Sequence, residues 1–182
     1  MEKIDEKQLI KDILNGQTQH FGYFLNTYSS FVYSLISQLV PNPEDAEELT
    51  EDTFIKAFDT LSHFQGKSKF STWIFRIAYN KAISFTRKKK ILFEDKQLDN
   101  VSIAEADHLL FIEDSTEKVK KLQQCITLLK DEEIALIHLF YYQKYELKEI
   151  AEILDISTNT VKVRLFRVRK KLFLMMNTKI NS

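Results

Sequence analysis

The residues with the most chemical content fall in two stretches that hold no acid. In the first, Lys67, Lys69, Arg76, Lys81, Arg87, Lys88, Lys89 and Lys90 are interleaved with Phe64, Phe70, Trp73, Phe75, Tyr79 and Phe85. Cations can follow a phosphate backbone while rings stack on unpaired bases, so this composition suits an unstacked nucleic-acid strand. Rings at helical spacing are also the composition of a core, and the sequence leaves open which of them meet a base. The second stretch carries Lys162, Arg164, Arg167, Arg169, Lys170 and Lys171. Projected at about 100° per residue, Val161, Leu165, Val168 and Leu172 take one side of a helix there. Asn159, Val163, Phe166, Arg167 and Lys170 take the other. Such a face can read a duplex: Arg or Asn pairs with base edges, Phe or Val meets a thymine methyl, and flanking cations hold phosphates. Ser157 is placed to cap that helix.

Covalent chemistry has less to work with. His20, His63, His108 and His138 show no i, i+4 pairing, and no GxSxG, HExxH or phosphate-binding glycine loop occurs. The single Cys125 allows neither an internal disulfide nor a CxxC zinc pair. Asp45, Glu48 and Asp52 share a helix face, but the Glu-x-x-His partner of a bundle metal site is missing. The expectation is a chain that catalyses nothing and carries no cofactor or metal.

Long helices must position these residues. Across 182 residues there are only 3 glycines and 2 prolines, too few for the many turns of a sandwich or barrel, so the expected class is all-α. A short helix is expected over residues 7–14, ended by Gly16, and a long one over 17–40, ended by Pro41. Asn42, Pro43, Glu44 and Asp45 read as a helix start, with a cap, a proline at the first position and acids at the positive dipole end. That helix is expected to reach Leu61 with Leu49, Phe54, Ala57, Phe58 and Leu61 inward. A loop containing Gly66 follows, then a helix over 71–89. Helical periodicity lapses in a mostly acidic segment and resumes near Glu117, in two helices divided at Lys130 and Asp131. Finally Leu147, Ile150, Ala151 and Leu154 form one face, Asp155-Ile156-Ser157 interrupt it, and the basic helix follows, which together read as a helix-turn-helix.

The 26 cations balance the 26 acids, but the total conceals segregation. Fourteen cations lie in the two acid-free tracts, while acids gather at residues 44–52 and 94–117. Acidic-to-basic contacts between blocks could therefore shield the cations in the free chain. The first fifteen residues lack the apolar run of a secretory signal, and the longest apolar stretch, residues 134–142, is about half the roughly 20 residues of a membrane span. A cytoplasmic protein without membrane insertion is expected.

Residues 45–54, Asp45-Ala46-Glu47-Glu48-Leu49-Thr50-Glu51-Asp52-Thr53-Phe54, are followed by Phe64-Gln65-Gly66-Lys67-Ser68-Lys69-Phe70-Ser71-Thr72-Trp73 and Ile74-Phe75-Arg76-Ile77-Ala78-Tyr79-Asn80. Together they resemble the first domain of the extracytoplasmic-function sigma factors of bacterial RNA polymerase. Glu149-Ile150-Ala151-Glu152-Ile153-Leu154 with Thr160-Val161-Lys162-Val163-Arg164-Leu165-Phe166-Arg167-Val168-Arg169 resemble the second. The likeness covers about residues 5 to 175, in order. It departs at Ser84, where the family often has Asp; at Asp155, where it often has Gly; at Asn159, where it often has Gly; and at Val163, where it often has Ser. Asp tolerates the left-handed conformation such a turn needs.

This resemblance implies two small helical domains, residues 1–92 and 116–182, joined by an acidic linker over 93–115, the second a four-helix domain ending in the helix-turn-helix. It implies docking on core RNA polymerase through Asp45, Glu48, Glu51, Asp52 and Phe54. Phe64, Lys67, Lys69, Phe70, Trp73, Arg76, Asn80, Lys81 and Arg87 would bind the minus-ten element and capture a base flipped from the non-template strand. Ser157, Asn159, Thr160, Lys162, Val163, Phe166, Arg167 and Lys170 would bind the minus-thirty-five duplex. A cognate anti-sigma protein is implied as a further partner. The competing expectation is a regulator that binds duplex DNA only, with an N-terminal sensing or interaction domain. It leaves the aromatic, acid-free tract without a purpose.

Overall fold

A computed structural model describes residues 5–94 and 115–177, all helix and connecting turn among the described residues. Helix α1 spans Glu6–Leu14, opened by the Asp5 carboxylate accepting from the Lys7 amide at 3.0 Å. Gly16 then takes φ +100°, which a side chain would resist. The long helix expected from residue 17 begins instead as a 3-10 turn, Thr18–His20, and becomes α2 at Phe21–Leu39. Gln17 offers no side-chain cap, and the first turn tightens so that the His20 amide reaches the Gln17 carbonyl. Helix α3, Pro43–Asp59, starts as expected, with Asn42 Oδ1 accepting from the Asp45 amide at 2.8 Å. It stops two residues short of Leu61, which lies in a second 3-10 turn, Leu61–His63. Helix α4, Phe70–Glu94, runs five residues beyond its expected end, because no glycine or proline interrupts the chain there. The acidic segment assigned as linker lies, apart from its ends, outside the described residues.

Helices α5, Ser115–Thr127, and α6, Asp131–Ile137, divide where expected. The expected continuation of α6 through Phe140 is instead a π-helical turn, His138–Tyr142, in which the His138 and Tyr142 rings stack 5.3 Å apart. Helix α7, Leu147–Leu154, ends in the left-handed Asp155, φ 56°, and α8 covers Thr158–Asn177. The short α7-turn-α8 unit is the helix-turn-helix. Cys125 is a buried free thiol.

Helices α1 to α4 close around an aromatic core in which Phe24 and Phe70 lie 4.1 Å apart, with Phe21, Phe54 and Ile74 beside them. Helices α5 to α8 close around Leu136, Leu139, Ile150, Ile153, Val161, Leu165 and Val168. The two helical domains also pack on each other, α4 against α7 and α2 against α6, so the buried residues form one continuous cluster. Phe75 meets Tyr145 at 5.1 Å across this boundary, and Ser34 Oγ lies 3.2 Å from His138 Nε2. Among the described residues no helix is long and apolar enough to cross a membrane.

Candidate nucleic-acid and docking interfaces

Helix α8 is anchored by Val161, Leu165 and Val168, all buried against α7 and α6. That anchoring fixes the rotation of the helix and turns Asn159, Lys162, Val163, Phe166, Arg167 and Lys170 outward, all exposed. Phe166 is 67% exposed, so its ring is available on this face. Ser157 is a structural member of this set: its Oγ accepts from the Thr160 amide at 3.1 Å and lies 2.8 Å from the Thr160 hydroxyl. Arg169, which the helix projection left off this face, is engaged elsewhere. Its Nε donates to the Tyr141 hydroxyl at 2.6 Å, and its guanidinium lies 5.5 Å from the Phe140 and Tyr141 rings.

Along α4 the sequence-derived set divides by depth. Phe70 is 2% exposed and is a core residue, which corrects its reading as a strand contact. Phe64 and Trp73 are partly buried and pack on each other at 5.1 Å, leaving part of each ring accessible at the loop. Lys67, Lys69, Arg76, Asn80 and Arg87 are exposed, and Lys81 is half-buried. The loop 64–69 turns at Gly66, φ +65°, and one wall of a cleft of about 940 Å³ is made by Phe64, Lys67, Ser68 and Thr72. Thr72 is 2% exposed, and its Oγ1 has no hydrogen-bond partner among the described residues. The opposite wall is α7, through Glu146, Lys148, Glu149 and Glu152.

The acids of α3 also divide. Glu48 and Glu51 face outward. Asp52 and Asp45 are bound to α4, Asp52 to Lys81 at 2.9 Å and Asp45 to Lys89 at 3.1 Å. Phe54, read as a partner-facing residue, is 4% exposed and lies in the core, 6.5 Å from Phe21. Phe58, expected inward, is instead 39% exposed, on the rim of an apolar groove of about 410 Å³ that Phe21, Leu25, Phe54 and Ile55 also line. Among the described residues no group of His, Cys, Asp or Glu is arranged to hold a metal ion.

The partners of the cations were the part sequence reasoning missed. Lys69 Nζ lies 2.8 Å from Glu149 of α7, and Arg76 Nη2 lies 2.8 Å from Asp155 of the turn. Lys90 meets Asp131 at 3.0 Å, and Arg87 meets Glu132 at 3.5 Å. Burial pushes the Glu149 carboxyl upward, but the hydrogen bonds from Lys69 and from the Glu146 amide outweigh it, and the group ends below its ordinary value. Charge segregation in the sequence signalled such contacts without naming the pairs.

The sigma-70 region 2 family model matches residues 24–91, and the sigma-70 region 4 model matches residues 120–172. The chain is 34% identical over 179 residues to the ECF RNA polymerase sigma factor SigW of Bacillus subtilis, covering 91% of this chain and 94% of that one. It is 27% identical over 181 residues to the ECF RNA polymerase sigma-E factor of Escherichia coli, covering 93% of each. Among solved structures, CnrH in complex with the cytosolic domain of CnrY matches with a TM-score of 0.69 at 19% identity, over 94% of this chain and 97% of that one. The sigma factor RpoE in complex with the anti-sigma factor NepR, from Bartonella quintana, matches at 0.66 and 21%, over 87% and 98%. At these identities the two structures speak for the fold alone, two helical domains in the same order.

Proposed function

We propose residue roles for a chain that belongs to the extracytoplasmic-function subfamily of the sigma-70 RNA polymerase sigma factors and directs core polymerase to promoters. Residues 1–92 form the polymerase-docking and minus-ten domain, 93–115 the linker, and 116–182 the minus-thirty-five domain. Docking falls to the exposed Glu48 and Glu51 of α3, with Asp45 and Asp52 shaping the same acidic face while tied to α4, and Phe54 supporting it from beneath.

Strand capture falls to Lys67, Lys69, Arg76, Asn80, Lys81 and Arg87, with Phe64 and Trp73 as the accessible rings and Phe70 setting their position. Flipping a base out of the stack costs a few kcal/mol. The surface lined by Phe64, Lys67, Ser68 and Thr72, together with the row of cations, is the feature of this domain suited to offset that cost. Duplex reading falls to Asn159, Lys162, Val163, Phe166, Arg167 and Lys170, with Ser157 and Thr160 holding the helix start.

The chain supplies recognition, and the polymerase performs the chemistry in the cytoplasm. A cognate anti-sigma protein is the expected negative partner, since the structural neighbours CnrH and RpoE are each described with a bound partner, the cytosolic domain of CnrY and the anti-sigma factor NepR.

The observation that carries this reading is the pairing, in one chain, of an acid-free aromatic helix with a separately anchored basic reading helix. The test is co-elution with core RNA polymerase followed by transcription from a pooled promoter library. Stable association with new, sequence-selective transcripts is the expected result. Duplex binding without polymerase association would overturn it.

A further inference from the structure

We infer that the second domain is a built-in occupant of the strand-binding face of α4, a latch whose carboxylates stand where DNA phosphates would otherwise lie. This rests on the strand-binding role proposed for α4.

The cations concerned are not free. Lys69 and Arg76, assigned to the melted strand, are held at 2.8 Å by Glu149 and Asp155. Arg87 is held by Glu132, and the adjoining Lys90 by Asp131. All four carboxylates come from α6, α7 or the turn after α7. The wall of the cleft opposite Phe64 and Thr72 is α7 itself, and the Thr72 hydroxyl at this cleft has no hydrogen-bond partner among the described residues. Apolar and polar contacts accompany the ion pairs across the same boundary: the packing of Phe75 on Tyr145 at 5.1 Å and the Ser34 to His138 hydrogen bond.

The asymmetry is informative. The same packing that covers α4 leaves the reading face of α8 exposed, with Phe166 and Arg167 pointing to solvent. A closed chain can therefore meet duplex through α8 before α4 is available. A run of phosphates can displace the carboxylates, since each latch contact is a single ion pair with at least one exposed partner and such pairs are weak and salt-screened. Entry of a strand and departure of α7 are one exchange.

The test uses the full chain carrying Glu149→Gln with Asp155→Asn. Asn is chosen because it tolerates the left-handed conformation of the turn. Binding of fluorescent random-sequence single-stranded DNA is followed by anisotropy across a salt series, beside random-sequence duplex and small-angle scattering. The expected result is single-strand binding about five- to ten-fold tighter than wild type, the fold-change two exposed pairs can withhold. The slope of log affinity against log salt should steepen by about 0.7 for each cation released. The radius of gyration should rise while duplex affinity stays the same.

Wild type and variant that bind the strand with equal affinity and slope would overturn the latch alone. Should neither bind the strand, and should the holoenzyme also fail to transcribe, the strand-binding reading of α4 falls and the latch falls with it. If circular dichroism finds the α7 variant unfolded, Asp131→Asn with Glu132→Gln on α6 replaces it, with the same expected and contrary results.

Discussion

Arg76 Nη2 and Asp155 Oδ1 lie 2.8 Å apart although 79 positions separate them, joining the second turn of α4 to the turn of the helix-turn-helix. Asp155 is also a residue with φ 56°, ψ 47° at the end of α7. One side chain therefore serves a backbone turn and a contact between domains.

These two roles can be separated by substitution. Asp155→Gly removes the left-handed penalty, about 1 kcal/mol, and gives up an exposed ion pair of about 0.2 to 1 kcal/mol, so stability should stay within about 1 kcal/mol of wild type. Asp155→Ala loses the pair and keeps the penalty, and should be the less stable of the two by about 1 kcal/mol or more. Urea denaturation measures both. Equal stability of Ala and Gly at this position would contradict the turn geometry.

How far the sequence spoke depended on whether the cause was local. The start of α3 is written in four consecutive residues, Asn42 to Asp45, and the structure follows it. The helix-turn-helix is likewise legible, because two apolar faces and a three-residue break need no distant partner to be recognised. Phe54 and Phe58 are different: four positions apart they share a helix side, and the packing of α2 buries one and leaves the other on a rim. Phe70 sits among cations in sequence but faces Phe24 in space. The latch pairs link residues 41 to 80 positions apart, and no local pattern selects Glu149 rather than Glu146 for Lys69.

Depth also decides what ring deletions do. Phe24→Ala and Phe70→Ala each remove a buried ring and should cost about 3 to 5 kcal/mol, with the double substitution costing less than the sum because the rings touch at 4.1 Å. Trp73 is only partly buried, so Trp73→Ala should lower the melting temperature less than Phe70→Ala does. It should impair transcription from duplex promoters and spare templates already opened at the minus-ten element. A thermal melt beside transcription from both templates checks this. A Trp73→Ala melting loss equal to that of Phe70→Ala would make the ring purely structural.

Two arginines two positions apart should behave oppositely. Arg167 is exposed on the reading face, and Arg167→Ala should cost about 1 to 3 kcal/mol at the preferred minus-thirty-five sequence and less at others. Arg169 is bound to Tyr141 and lies near Phe140, so Arg169→Ala should lower stability and leave sequence preference intact. Competition binding on duplex libraries, with a melt for each variant, distinguishes them. Uniform loss across sequences for Arg167→Ala would reassign it to phosphate.

Acid should loosen the contact between the domains, and the sign follows from two groups. Burial pushes His138 down to about 4, so its imidazole is neutral in the folded protein at neutral pH. The Gln143 amide nitrogen, 3.2 Å away, can only donate, which makes His138 Nε2 the acceptor there and for the Ser34 hydroxyl. Protonation would turn that acceptor into a donor, which sets it against the Gln143 amide and reverses the bond to the Ser34 hydroxyl, while placing a charge in a buried site. Since the unfolded chain takes up this proton near pH 6.5 and the folded chain only near 4, stability is full above about 6.5 and falls as pH drops between those values, by at most about 1.4 kcal/mol per unit. Glu149, whose carboxyl is held below its ordinary value, adds stability above its unfolded pKa that is lost as pH falls through its lower folded one. Both groups therefore act in the same direction. Wild-type stability should decline from about pH 6.5 toward about pH 4, and His138→Gln, which cannot take up the proton, should flatten the upper part of that decline. Parallel pH profiles for the two proteins would remove His138 from the account.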